Sequence, residues 1–183
     1  MILIKDLLTE QKHSYGCVML FFDFPEVKQI QKVITNQELY IEEDDDSYGL
    51  ETEPHVTLLY GLHENVPTES VKNILKNKIF GECIIRNLSR FKQDEYDVLK
   101  FEVQGDILHQ VNKELKELPH TSNFPDYKPH LTVAYLKKGN VDRLIEKFKD
   151  REYKLYPKFA VYSKPDGEQI KIQIKINEKN RRL

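Results

Sequence analysis

Apolar residues recur along the chain in two rhythms, one suited to buried strands and one to amphipathic helices. The run YGCVMLFFDF at 15–24 is almost wholly apolar and rich in β-formers, which predicts a buried strand. Pro25 then suits the first turn of a helix, with Val27, Ile30 and Ile34 as its apolar stripe. Helical spacing returns at 66–77 (Val71, Ile74, Leu75), at 106–118 (Ile107, Leu108, Val111, Leu115) and at 140–149 (Val141, Leu144, Ile145, Phe148). Asp106 and Asn140 stand where N-caps are expected, and Pro119 follows the end of the third helix. Two hairpins are predicted. The first joins 82–91 to 96–104 around KQDE, and the second joins YKLYPKFAVYS, read as one strand, to EQIKIQIKI.

Between these elements one short strand is written twice. Residues 54–60 read PHVTLLY and residues 129–135 read PHLTVAY. After each copy come a helix with an apolar stripe and then a hairpin. Two similar half-units predict two lobes related by an approximate two-fold axis, with the repeated strands side by side. The first copy is approached by ELYIEEDDDSYGLETE (38–53), read as a short strand at LYI followed by a solvated acidic loop; its spacing does not match a helix-loop-helix calcium site. The second is approached by PHTSNFPDYKP (119–129), a loop with three prolines.

The length predicts one domain over 1–183, with the basic residues of 178–183 as a frayed tail. A formal net charge of −2 gives no field to draw the chain onto DNA or an anionic membrane. No run approaches a membrane span and no secretory leader is evident, so the expected location is the cytoplasm, or the host cytoplasm for a viral protein. Cys17 and Cys83 are expected to be buried free thiols.

On a strand, residues two apart share a face. His55 projects with Thr57, and His130 with Thr132, so paired strands would line one groove with two imidazoles and two hydroxyls. Two histidines suit a reaction needing a base on one side of a phosphorus centre and an acid on the other. The threonines can donate to non-bridging oxygens without adding charge. Neither a metal nor a cofactor is required by this chemistry.

Paired H-x-T motifs on strands of a two-lobed domain resemble the 2H phosphoesterase superfamily, which includes the RNA 2′,3′-cyclic phosphodiesterases (2′–5′ RNA ligase-like) and phage anti-CBASS enzymes that destroy cyclic oligonucleotide signals. The resemblance rests on His55, Thr57, His130 and Thr132 and spans most of the chain. It implies an α+β fold of two pseudo-symmetric antiparallel sheets flanked by helices with a central groove. It also implies metal-independent phosphodiester cleavage at those four residues.

Three substrate classes stay open: 2′,3′-cyclic phosphates, 3′–5′ cyclic oligonucleotides and 2′–5′ oligoadenylates. The acidic approach disfavours long RNA, whose binding depends on phosphate neutralisation. A lysine-, isoleucine- and asparagine-rich composition is similar to that of short phage members, which favours the signal-degrading type, with RNA-end or 2′–5′ processing as the alternative. A non-catalytic nucleotide sponge is the reading of another class, and paired proton-transfer groups argue against it. Tyr15, Phe124 and Tyr127 are candidates to stack a base, and Lys128 to meet a phosphate. His63, His109 and His120 lack a threonine partner and are expected to be structural or exposed, with His63, close to the first motif in sequence, as the exception that could serve the site. KPDG at 164–167 is expected to be a turn rather than a ligase lysine motif, because only nineteen residues follow Lys164.

Overall fold

The computed structural model describes residues 14–43, 45, 47–122 and 126–177. Its strands are β1 (Gly16–Phe22), β2 (His55–Leu62), β3 (Ile79–Phe80), β4 (Cys83–Lys92), β5 (Tyr96–Gln104), β6 (His130–Lys137), β7 (Tyr153–Leu155), β8 (Pro157–Ser163), β9 (Gln169–Ile172) and β10 (Lys175–Ile176). The helices are α1 (Val27–Gln31), α2 (Thr68–Lys76), α3 (Leu108–Leu115) and α4 (Asp142–Phe148). The helical stripes point inward as their spacing predicts: Val71 and Leu75 of α2, Leu108, Val111 and Leu115 of α3, and Leu144 of α4 are buried. Neither expected side-chain cap forms. The cap positions of α3 and α4 are Ile107 and Val141, without a side-chain bond, and Asn140 Nδ2 donates instead to Lys137 O at 2.9 Å. Among the described residues no helix is long and apolar enough to cross a membrane.

Eight strands follow the order β7-β4-β5-β6-β2-β1-β8-β9, every neighbouring pair antiparallel. The order reads as two four-stranded sheets, one ending in β6 and the other in β2. They meet through one recorded residue pair, Val56 with Leu131. The two repeats are interlaced rather than stacked end to end. The β4–β5 hairpin that follows the first motif pairs with β6, whereas β8 and β9, which follow the second, extend the sheet containing β2. The segment YKLYPKFAVYS, expected as one strand, is divided between the two sheets. Tyr153–Leu155 pairs with β4 and Pro157–Ser163 pairs with β1. Pro157 has no N–H to continue the first ladder, so the chain breaks there and crosses over.

Both motif strands carry a bulge at the same place. On β2, Thr57 pairs with Met19 and Leu59 with Val18, leaving Leu58 without a partner on β1. On β6, Thr132 pairs with Lys100 and Ala134 with Leu99, leaving Val133 as the extra residue. Each bulge lets two successive side chains enter the core and shifts the alternation by one. Tyr60 and Tyr135, which strict alternation would turn away from the histidines, are thereby returned to their face. The displaced carbonyls are satisfied by helix amides: Asn112 Nδ2 of α3 donates to Leu58 O at 2.7 Å, and Gln31 Nε2 of α1 to Val133 O at 3.0 Å.

Beyond the Val56–Leu131 pair the two strands part, and each open edge is taken by the loop that leads into the other motif. Thr121 N donates to Gly61 O at 2.9 Å on the β2 side. Tyr40 N donates to Tyr135 O at 3.0 Å and Tyr135 N to Gly49 O at 2.7 Å on the β6 side. Gly61 is required there: its φ is +118°, and a Cβ would lie 1.9 Å from Thr121 O. The acidic approach is therefore not a wholly solvated loop. Leu39 is buried and pairs with Leu136, and Leu50 pairs with Ala134. KPDG forms the expected turn, with Gly167 N donating to Lys164 O at 3.0 Å and Gly167 at φ +91°.

Asn112→Leu strands the buried Leu58 carbonyl and is expected to cost about 1–3 kcal/mol, read from the midpoint of urea unfolding. An unchanged midpoint would show that the bulge does not depend on this amide.

Candidate active site

His55 and His130 are each the first residue of their strand, next to the pair that joins the sheets. Extending that antiparallel register by one residue sets His55 opposite Thr132 and His130 opposite Thr57. All four side chains thus share one face, and the histidines stand as diagonal neighbours, a relation that on such strands spans about 7–8 Å between backbones. The intervening Val56 and Leu131 are fully buried beneath.

The proline before each histidine has a local consequence. His55 Nδ1 lies 2.9 Å from Glu53 O, and His130 Nδ1 lies 2.8 Å from Lys128 O. A carbonyl can only accept, so Nδ1 carries the proton in both rings and Nε2 is left as the available nitrogen. His120, which follows Pro119, makes the same bond to Leu118 O at 2.9 Å. The X-Pro-His tripeptide itself therefore selects the tautomer.

Each imidazole leans on a phenylalanine. Phe21 lies 5.4 Å from His55 between ring centres, and Phe91 meets His130 edge to face at 4.8 Å and 89°. The charges around them differ. Glu51 Oε2 is 3.7 Å from His55 Nδ1. On the other side, Lys100 of β5 is only 6% exposed, pairs across the sheet with Thr132 and sets its ammonium 4.6 Å over the Phe91 ring. Burial lowers the pKa of His130 below the usual imidazole range; the bond to Lys128 O opposes this, and Lys100 and His55 add to the lowering. Burial also lowers the pKa of Lys100, against the pull of Glu102. Cys17 hydrogen-bonds Thr57, and burial pushes its thiol up to about 12, so it stays protonated and is no nucleophile at neutral pH.

Thr57, His130 and Thr132, with Tyr60, Phe91 and Tyr135, line a cleft of about 650 Å³; His55 is not part of that lining. Tyr127 and Lys128, both expected at a ligand, also line it. Tyr127 is anchored as well: its hydroxyl donates to Thr57 O at 3.1 Å and its ring meets His109 at 5.2 Å. Tyr15 lies outside that lining and packs its ring against Tyr60 and His63. Phe124 and the tail at 178–183 lie outside the described residues. His63 Nε2 pairs with Thr121 Oγ1 at 2.9 Å, a bond that ties the approach loop to β2. Cys17 and Cys83 are free thiols, as expected, but only Cys83 is buried and Cys17 is half-buried. Among the described residues there is no group of three or more His, Cys, Asp or Glu placed to hold a metal ion.

Reasoning from sequence missed Tyr60, Tyr135, Phe91, Lys100 and Glu51. Only the tyrosines left a signal, the fifth position after each motif histidine. The others come to the histidines through strand pairing and loop placement.

An antiparallel α+β sheet with two H-x-T strands facing one groove defines a 2H-type phosphodiesterase. The family model for the 2′-5′ RNA ligase superfamily matches residues 23–161, more than half of the chain, and the chain belongs to that superfamily. No curated protein sequence matches it significantly. Among solved structures, Kluyveromyces marxianus Usb1 with uridine monophosphate is similar at a TM-score of 0.58 and 10% identity, covering 89% of this chain and 99% of that chain. At that identity the likeness is one of fold.

Long-range ¹H–¹⁵N spectra are expected to show Nδ1–H tautomers for neutral His55 and His130, with His130 titrating below ~6.5. The unfolded chain then binds this proton first as pH falls, so His130 contributes a loss of stability on acidification from ~6.5 through its folded-state pKa. His130→Gln should flatten that part of the stability profile. A titration at or above the usual value would contradict the burial of this ring.

Proposed function

We propose that this phosphodiesterase cleaves a compact nucleotide, a cyclic or short oligonucleotide, by acid–base catalysis shared between His55 and His130. One observation carries the reading: two histidines, each with Nδ1 bound to a carbonyl and Nε2 available, stand diagonally across two paired strands. One imidazole takes the proton of the attacking hydroxyl and the other gives a proton to the leaving oxygen. Thr57 and Thr132 donate to the non-bridging oxygens as charge grows on them. These groups supply the proton transfers and the oxyanion contacts from the chain itself.

The cleft supports a small substrate. About 650 Å³ lies within the range of ordinary small-ligand sites. Tyr60, Tyr135, Phe91 and Tyr127 offer it aromatic faces, and the sequence leading into the first motif carries eight acids between 38 and 53. These features favour a cyclic oligonucleotide of the kind used as an immune signal, degraded as by phage anti-CBASS enzymes. RNA 2′,3′-cyclic phosphate or 2′–5′ linkage processing is the companion reading, because the same four residues serve it.

The test incubates the purified protein in EDTA with 2′,3′-cyclic mononucleotides, 3′–5′ cyclic di- and trinucleotides and 2′–5′ oligoadenylate, and separates the products. Linearised cyclic oligonucleotides are expected, with activity unchanged by EDTA. Turnover of the other compounds alone would move the assignment to RNA-end or oligoadenylate processing. Binding without turnover would make the protein a nucleotide sponge. His55→Ala and His130→Ala should each lower turnover at least about 100-fold. Thr57→Val and Thr132→Val should cost less and act on kcat. Near wild-type activity in either histidine variant would sink the mechanism.

A further inference from the structure

The groove is symmetric in its histidines and asymmetric in its charges. His55 is approached by carboxylates: Glu51 Oε2 stands 3.7 Å from its Nδ1, and Glu53, whose carbonyl accepts from that nitrogen, belongs to the same loop. From β1 it meets only the neutral ring of Phe21, which stacks at 5.2 Å on Phe159, and Lys171 lies beyond that second ring at 3.9 Å.

His130 is approached by a buried ammonium. Lys100 lies on its face of β5, 4.6 Å over the Phe91 ring whose edge contact with His130 measures 4.8 Å. Glu102 pairs directly across from His130, but its carboxylate accepts from Asn87 Nδ2 at 2.9 Å and faces Lys100 at 3.9 Å. At that distance the two form an ion pair without a hydrogen bond, so Glu102 offsets part of the ammonium's field. Lys128 precedes this histidine in the approach loop and lines the cleft, adding a second positive charge. Arg86, across β4 from Glu102, is drawn toward Glu152 at 3.8 Å.

We propose that Lys100 and Glu51 are positioning residues that divide the two proton transfers: His130 is the base for the attacking hydroxyl and His55 the acid for the leaving oxygen. This rests on the two-histidine reading above and goes beyond it by fixing the direction. Burial, with the positive charge of Lys100 added, favours a neutral His130 ready to accept, while Glu51 stands beside His55 Nδ1 as a counter-charge for the ring that donates. In the first step the substrate's 2′-hydroxyl gives its proton to His130 Nε2 as its oxygen bonds to phosphorus. The bond from phosphorus to the leaving oxygen breaks, and His55 Nε2 protonates that oxygen. Water then opens the resulting cyclic phosphate with the roles exchanged: His55 takes a proton from water, His130 returns one to the 2′-oxygen, and both rings regain their starting states.

A bell-shaped pH profile has the same form for either assignment, so the leaving group must decide. A 4-nitrophenolate departs without a proton, whereas the 5′-oxygen of a nucleoside needs one. The probes are uridylyl-(3′→5′)-uridine and uridine 3′-(4-nitrophenyl phosphate). His55→Ala is expected to lose at least about 100-fold on the dinucleotide yet stay within about tenfold of wild type on the aryl ester, while His130→Ala loses activity on both. The reverse pattern would overturn the assignment and leave the two-histidine reading standing. If both variants kept their activity on the esters, that reading would fall and this inference with it. Lys100→Met should move the acidic limb of kcat/KM up by about one pH unit, and Lys100→Arg should restore it. Glu51→Gln should move the basic limb down. Limbs that stay in place in the Lys100→Met and Glu51→Gln variants would remove these two residues from the mechanism even if turnover fell.

Discussion

The pairing of Val56 with Leu131 is the contact on which the site depends. It joins two four-stranded sheets through the first turns of their ladders, and the histidine before each paired residue is carried to the same place. Had the motif strands paired along their full length, the groove would be closed by side chains from both. They part after one pair instead, and the two approach loops take the vacated edges. The cleft exists because those edges are satisfied by loops rather than by each other.

Interlacing of the repeats gives this junction its rigidity. β6 pairs with β5, which follows the first motif, and the sheet of β2 is extended through β1 by β8 and β9, which follow the second, so each four-stranded sheet draws on both halves of the sequence. The bulges belong to the same design. They turn two further residues per strand into the core and return a tyrosine to the groove, and the backbone carbonyls they displace are held by Asn112 and Gln31. Those amides come from α3 and α1, the helices that separate β5 from β6 and β1 from β2. The pseudo-symmetry therefore extends beyond the motifs to the residues that stabilise them.

Function departs from symmetry where charge is concerned. A symmetric groove would leave two interchangeable histidines, and a phosphoryl transfer needs one neutral and one protonated at the outset. In the proposed mechanism Glu51 and Lys100 distinguish them, one through a loop and the other through the neighbouring strand.

Much of the architecture was legible in the chain because its signals are local. Periodicity marked the helices, the apolar runs marked the strands, and the repeated PHxTxxY marked the pairing of histidine with threonine on one face. Even the histidine tautomers follow from a tripeptide. The split of YKLYPKFAVYS between two sheets was not legible, since continuity of β-formers says nothing about which partner each part meets. The acidic approach was misread for a similar reason: its charges suggest solvent, but Leu39, Leu50 and Gly49 bind it to β6. Lys100 and Glu51 carry no motif. The sequence alone determined which residues could exchange protons, because that is a property of side-chain type and strand alternation. Only the tertiary structure decided which charges stand beside each of them, because that depends on strand register and loop placement between segments far apart in the chain.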